Sequence, residues 1–384
     1  MKERRIVVIN FRKKIMTISL ITFLIAGMIA GCTTSGKTGK SRKNNTQNAA
    51  EQTTQQTGST GKDSNTKNGE EKSASRDIFA MDTYMTLTAY GENAEKGLDA
   101  AVDEINKIEQ LVSTGIDSSE VSQINKNGKG SVSETTGYLI KRSKEIYNST
   151  NGVFDITVYP IMQAWGFPTE KYRVPGKEEL KKLRGLMGAD HILYDEKKQE
   201  VTLDKEGMKI DLGGIAKGYT SSKVMDIFKK NGIYSAVISL GGNVQTLNGK
   251  PDGSDWRVAV ENPADTSSYI GVLSIKDKAV ITSGGYERYF EQDGKTYHHI
   301  IDPSTGYPAN NGLTSVTIVS DDGTLADGLS TSLFIMGPEK AQEYWKKHSD
   351  EFDTILVKDD GSILVSEGIA DNFTSDSEFT VIKK

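Results

Sequence analysis

From Thr33 to Arg76 the chain has no aromatic and no large aliphatic side chain; it is mostly Ser, Thr, Asn, Gln, Gly and Lys. Such a stretch cannot bury enough apolar area to offset the entropy of ordering it, so it reads as a disordered tether. Anything that folds must follow it, from about Asp77. The 384 residues leave room after it for one large domain or two. A net charge of −5 offers no basic footprint for nucleic acid. The single cysteine, Cys32, cannot close an intramolecular disulfide, so the fold must rely on its core.

The residues ahead of the tether bear on the compartment. Lys2, Arg4, Arg5, Arg12, Lys13 and Lys14 precede an apolar run from Ile15 to Ala30, which breaks at Gly31-Cys32. This is the anatomy of a secretory signal, and the run is short for a span of about 20 apolar residues. Small residues directly before Cys32 resemble the lipobox of bacterial lipoproteins, whose cysteine is diacylated and becomes the new N-terminus. The resemblance implies a signal peptide over 1–31, a lipidated Cys32 with its tether over 32–76, and a body over 77–384. It also implies a lipid-anchored protein on the extracytoplasmic face of the cell membrane. An uncleaved anchor helix with an incidental cysteine is the alternative.

Within the body, Thr83 to Tyr90 alternates as a strand does. Leu98, Ala101, Val102, Ile105, Ile108 and Val112 follow helical spacing after a plausible cap at Asn93. Further helices are expected over 136–150, 217–231 and 325–336. Strands are expected over 236–240, 256–260, 279–282 and 313–320. Tyr286 to Ile301 suits a hairpin turning at Asp293-Gly294. Strands and helices mix without a regular βαβ repeat, so the expected class is α+β, with mixed sheets flanked by helices.

Three segments carry chemistry. His299 and Asp302 stand where a strand runs into a Pro- and Gly-rich loop. The imidazole can take a proton near neutral pH, and the carboxylate can orient it. By themselves they also fit an edge-strand histidine and a turn aspartate. Asp327 and Thr331 are i and i+4 on a helix, so their oxygens share a face, and such hard donors suit Mg²⁺. Asp327 alone also fits a helix start, where it complements the dipole. Asp211, Gly213, Gly214 and Lys217 lie between an expected strand and an expected helix. There adjacent glycines let a phosphate approach the helix start, although a plain tight turn fits as well. Met81-Asp82-Thr83, Val153-Phe154-Asp155, Ser239 to Asn243 and Ser283 to Arg288 are unremarkable loop or core when each is taken alone.

Together and in this order, the segments resemble the ApbE family of FAD:protein FMN transferases, from about Phe79 to about Lys384. The resemblance rests on His299-x-x-Asp302-Pro303-x-Thr305-Gly306, Ala326-Asp327-x-x-x-Thr331 and Asp211-x-Gly213-Gly214-x-Ala216-Lys217-Gly218. It implies T-fold-like layers with FAD in a deep cleft. It also implies Mg²⁺ on Asp327, Thr331 and a backbone oxygen near Gly214. Met81, Val153, Phe154, Asp155, Asp211, Lys217 and Ile301 then line the FAD site. His299 takes part in proton transfer, with Asp302 placed to orient it. Two positions depart from the family pattern. Ser113 to Ser118 lacks the aromatic residue that many members stack on the flavin, and Ser330 stands where some members have Asp. The implied reaction moves the FMN half of FAD onto a Ser or Thr hydroxyl of a secreted or membrane acceptor protein and releases AMP. The rival readings are a FAD diphosphatase giving FMN and AMP, and a lipoprotein that binds FAD without chemistry.

Overall fold

The structure, a computed structural model, describes residues 72–384. The signal segment, Cys32 and most of the tether lie outside the described residues. The first strand, β1 (Ser73–Ala80), starts at Ser73, earlier than the expected Asp77. It pairs along its whole length with β2 (Thr83–Tyr90), from Ser73 opposite Tyr90 to Ala80 opposite Thr83. Backbone pairing does the work there, so the small polar residues at its start gave no apolar signal.

A nine-stranded sheet organises the body. Its order is β1, β2, β6 (Ser235–Leu240), β7 (Asn243–Leu247), β10 (Ala279–Gly284), β13 (Leu313–Ser320), β14 (Asp353–Lys358), β15 (Ile363–Ser366) and β17 (Phe379–Ile382). Neighbours are antiparallel except for the parallel pair β15 and β17. One small sheet joins β3 (Lys129–Ser131), β5 (Glu200–Leu203) and β4 (Ile192–Asp195). Another joins β16 (Phe373–Thr374), β9 (Asp265–Ile275) and β8 (Trp256–Asn262), and β11 (Tyr289–Gln292) with β12 (Lys295–His298) forms a hairpin. The class is the expected α+β.

Alternation sorts the central strands between two covers. Ile281, Val316, Ile318 and Leu356 face a helical layer. Val280, Val319 and Ile355 face Val258, Val260 and Leu273 of β8 and β9. Both faces of β13 are therefore covered, and every one of its residues except Thr314 is buried. The helical layer includes α1 (Ala94–Val112), α2 (Glu134–Ser149), α3 (Gly213–Lys230) and α4 (Gly323–Met336). No helix among the described residues is long and apolar enough to cross a membrane.

Several boundaries moved. Asn93 precedes α1 but does not cap it; its amide donates to the Asn231 carbonyl at 3.0 Å and ties the start of α1 to the end of α3. α3 begins at Gly213, not Lys217, so both glycines lie in its first turn. No strand precedes them. Asn125 takes the place of a ladder partner: its side chain accepts the Ile210 N–H at 2.7 Å and donates to the Ile210 carbonyl at 2.8 Å. The β11–β12 turn is at Asp293-Gly294 as expected, with φ 52° and 72° in the left-handed region a two-residue hairpin turn needs.

Candidate active site

α3 and α4 cross with their backbones almost touching. A Cβ on Gly218 would lie 2.0 Å from the Gly323 carbonyl oxygen and 2.6 Å from Asp327 Cβ, so only glycine fits. At this crossing the Gly218 N–H, whose ordinary helical acceptor is the Gly214 carbonyl, donates to Asp327 Oδ2 at 2.8 Å. Asn243, the first residue of β7, donates its amide to Asp327 Oδ1 at 3.2 Å. Asp327 is only 4% exposed, yet each oxygen keeps a lone pair for a further partner. One helical turn on, Thr331 Oγ1 lies 3.4 Å from Ser283 Oγ of β10. Ser330 is tied down by Ser283 Oγ at 2.8 Å and by the Asp327 carbonyl at 2.8 Å. Phe154 is wedged between the two helices: a Cβ on Gly214 or Gly328 would meet its ring at 3.3 and 3.7 Å.

Charged groups gather around the start of α3. Leu212 gives that start no side-chain cap, and Asp211 Oδ1 takes the Gly213 N–H at 2.8 Å. Burial pushes the Asp211 carboxyl up, against that N–H and the positive charges of Arg288 and Lys217. Glu287, just past β10, is pushed up to about 7, first by burial and then by Glu261 and Asp327, with Lys217 opposing. His299 is pushed down to about 3 by burial, then by Arg288, His298 and Lys217. Lys217 therefore bears on Asp211, Glu287 and His299 alike, and no carboxylate among the described residues forms an ion pair with it.

The hydrogen bond that orients His299 differs from the expected one. Its Nδ1 lies 3.2 Å from the Arg288 carbonyl, which also accepts its backbone N–H at 3.0 Å. A carbonyl can only accept, so Nδ1 carries the proton and Nε2 keeps a lone pair. Asp302 instead accepts the Ser304 N–H at 2.8 Å, and its backbone closes the loop onto Gly306 and Tyr307. Trp165 Nε1 anchors that loop through the Gly306 carbonyl at 2.8 Å. Asp302 thus shapes the loop, because its carboxylate is taken up in an Asx turn with Ser304, two positions beyond it. His298 is neutral and structural: Nε2 donates to the Ala309 carbonyl at 2.8 Å and Nδ1 accepts the Ile300 N–H at 3.3 Å.

The remaining expected residues stand on several separate elements. Met81 sits at the tip of the β1–β2 hairpin at φ 50°, a strained value for a side-chain-bearing residue. Its N–H donates to Glu109 at 2.8 Å and its sulfur accepts from Thr220 of α3 at 3.6 Å. Asp155 caps the short helix Ile156–Val158, accepting from Thr157 N–H and Oγ1 at 2.8 and 2.6 Å. Val153 packs beside Phe154 against the main core, and Ile301 lies in a second core with Trp165, Phe167 and Phe290. Sequence reading singled out the glycine-rich segments that hold Asn243, Ser283, Glu287 and Arg288 but gave these four residues no role. The available signal was the paired glycines just before or after each of them, at the ends of strands.

A family model described as the ApbE family matches residues 81–356. The chain belongs to that family. Proteins named FAD:protein FMN transferase from Klebsiella pneumoniae and Vibrio cholerae are each 35% identical to it, over 267 and 270 residues. The matches cover 68% and 69% of this chain and 82% and 79% of theirs. The solved ApbE protein of Thermotoga maritima is 34% identical with a TM-score of 0.74, over 78% of this chain and 99% of that one. The flavin transferase ApbE from Vibrio cholerae gives 28% and 0.71, over 79% and 100%. ApbE family membership thus covers the segment that holds Met81, the α3–α4 crossing and His299.

Proposed function

We propose that this chain is a FAD:protein FMN transferase that carries the FMN half of FAD to a Ser or Thr hydroxyl of an extracytoplasmic acceptor protein. The observation that carries the reading is the Gly218–Asp327 hydrogen bond. It fixes the uncapped start of α3 against a buried carboxylate, with Lys217, Arg288 and His299 close by. A helix start and two cations favour an anionic diphosphate.

The donor set fits Mg²⁺. Asp327 offers carboxylate oxygens, Thr331 a hydroxyl and Gly214 a carbonyl whose helical donor is engaged by Asp327. These are hard oxygen ligands, too few to enclose an ion, so substrate phosphate and water complete the shell. No cluster of three or more His, Cys, Asp or Glu competes among the described residues. When bound, Mg²⁺ supplies charge neutralisation at the diphosphate. Lys217 and Arg288 hold the outer phosphate oxygens. His299 Nε2 takes the proton of the acceptor hydroxyl. The acceptor oxygen bonds to the FMN-side phosphorus, the bond from that phosphorus to the bridging oxygen breaks, and AMP leaves with that oxygen. The anionic substrate beside Arg288 and Lys217 offsets the charges that hold the imidazole pKa low.

We place the protein on the extracytoplasmic face of the membrane, anchored through lipidated Cys32, with the tether giving reach to its acceptors. The test is incubation of the full chain with FAD, Mg²⁺ and candidate secreted acceptors, followed by intact mass. An acceptor that gains one FMN supports transfer. Free FMN and AMP without a gain mean a diphosphatase, and intact FAD means a binding protein.

A further inference from the structure

We infer that Phe167 is a positioning residue that holds His299 and Arg288, the proton acceptor and a phosphate-binding cation, in one fixed relation to each other. The inference deepens the transfer reading above and rests on it. Arg288 and His299 flank the β11–β12 hairpin and continue its ladder by one pair beyond Tyr289 and His298. A two-stranded hairpin of four residues a side does not hold its own open end rigid. Both residues stand at that end, so a group outside the hairpin must fix them.

Phe167 reaches them from two sides. Its carbonyl accepts from Arg288 Nη2 at 2.9 Å. The Arg288 carbonyl in turn accepts from Nδ1 and the backbone N–H of His299 at 3.2 and 3.0 Å. The Phe167 ring then meets the imidazole, with centroids 6.5 Å apart and planes at 69°, which closes the circuit. Local sequence shapes the turn that presents this carbonyl. Gly166 takes φ 84°, and a Cβ there would lie 2.0 Å from the Lys171 carbonyl oxygen. Pro168 then sets the first turn of the short helix Phe167–Thr169. The Phe167 ring is 1% exposed and locked against Tyr172 and Phe290, with centroids at 5.6 and 5.9 Å. The carbonyl bond takes one of the five guanidinium N–H groups and leaves the others for phosphate. Arg288, Lys217 and His298 bear on the imidazole with positive or polar groups, and Phe167 is its neutral wall. A base displaced by about 1 Å can lose about a hundredfold in rate, so a rigid ring at this place has a use.

The test follows the imidazole in the full chain by nitrogen NMR on isotope-labelled histidine, without substrate. The pH profile of transfer is measured beside it, on the acceptor identified by its FMN gain. Wild-type His299 should show one neutral tautomer, protonated on Nδ1, from about pH 5 to about pH 8. Phe167→Leu keeps an apolar side chain but no ring. It should give mixed tautomers, and the imidazole should titrate closer to its ordinary 6.5 as water reaches it. The acid limb of kcat/KM should move up by about one pH unit or more, whereas a merely structural role would lower kcat/KM by one factor at every pH. Arg288 is exposed, so Arg288→Lys keeps the charge and spares the core but loses the planar fork that reaches the Phe167 carbonyl. It should mix the tautomers in the same way, and it carries the test if Phe167→Leu does not fold. A single Nδ1–H tautomer retained in either folded variant overturns the inference. Mixed tautomers in the variants, with no acceptor modified by the wild-type chain, would uphold the positioning and sink the transfer reading.

Discussion

Asp327 is held by two nitrogen donors from two different elements, so its carboxylate is oriented by the fold. Gly218 makes this possible by lacking a side chain. Gly218→Ala should force α3 and α4 apart, at a cost of about 1–3 kcal/mol by the usual penalty for overpacking. Urea unfolding should show this loss, together with reduced transfer. Two titrating groups oppose each other with pH. Burial raises the folded Glu287 pKa from 4.5 to about 7, so its stabilising contribution is complete below 4.5 and is lost as pH rises through about 7. His299 is lowered from 6.5 to about 3, so its contribution is complete above 6.5 and is lost as pH falls toward 3. Glu287→Gln should therefore gain stability relative to wild type as pH rises from 4.5 to 7, measured by unfolding at several pH values. A constant difference across that range would show that Glu287 titrates normally.

At the scale of elements, legibility followed periodicity. β2, β13 and the β11–β12 turn stand where alternation and Asp293-Gly294 put them. Helix starts were harder to read. α3 begins four residues before the expected Lys217 because its glycines carry no periodic signal and Asn125 supplies the bonds of a missing strand. The Asp211, Lys217, Asp327 and His299 positions were readable as motifs, but the partners of those residues were not. Nothing in sequence spacing says that Asn243 reaches Asp327 or that the Arg288 carbonyl orients His299, since each contact depends on tertiary packing. α4 is capped by Asp322, which accepts the Leu325 N–H at 3.1 Å and pairs with Arg142 at 3.0 Å. Asp322→Ala should cost about 1 kcal/mol as a lost cap and shift thermal unfolding downward, with transfer by the remaining folded protein little changed.

At the scale of the whole molecule, the described fold opens on β1 at Ser73 and carries the candidate site, while the proposed anchor at Cys32 lies outside the described residues, so the two proposals can be tested separately. Cys32→Ala should move the protein from the detergent phase to the aqueous phase while transfer in solution continues. Retention in the detergent phase would mean an anchor helix instead. The proposed catalysis rests on one junction, where the first turns of α3 meet the Asp327 carboxylate of α4. The most direct test is the Mg²⁺ dependence of acceptor mass gain for Asp327→Ala beside wild type, with both shown to be folded by circular dichroism. The expected result is Mg²⁺-dependent FMN attachment by wild type and none by the variant at any Mg²⁺ concentration. Wild-type attachment by the variant, with an unchanged Mg²⁺ response, would contradict it.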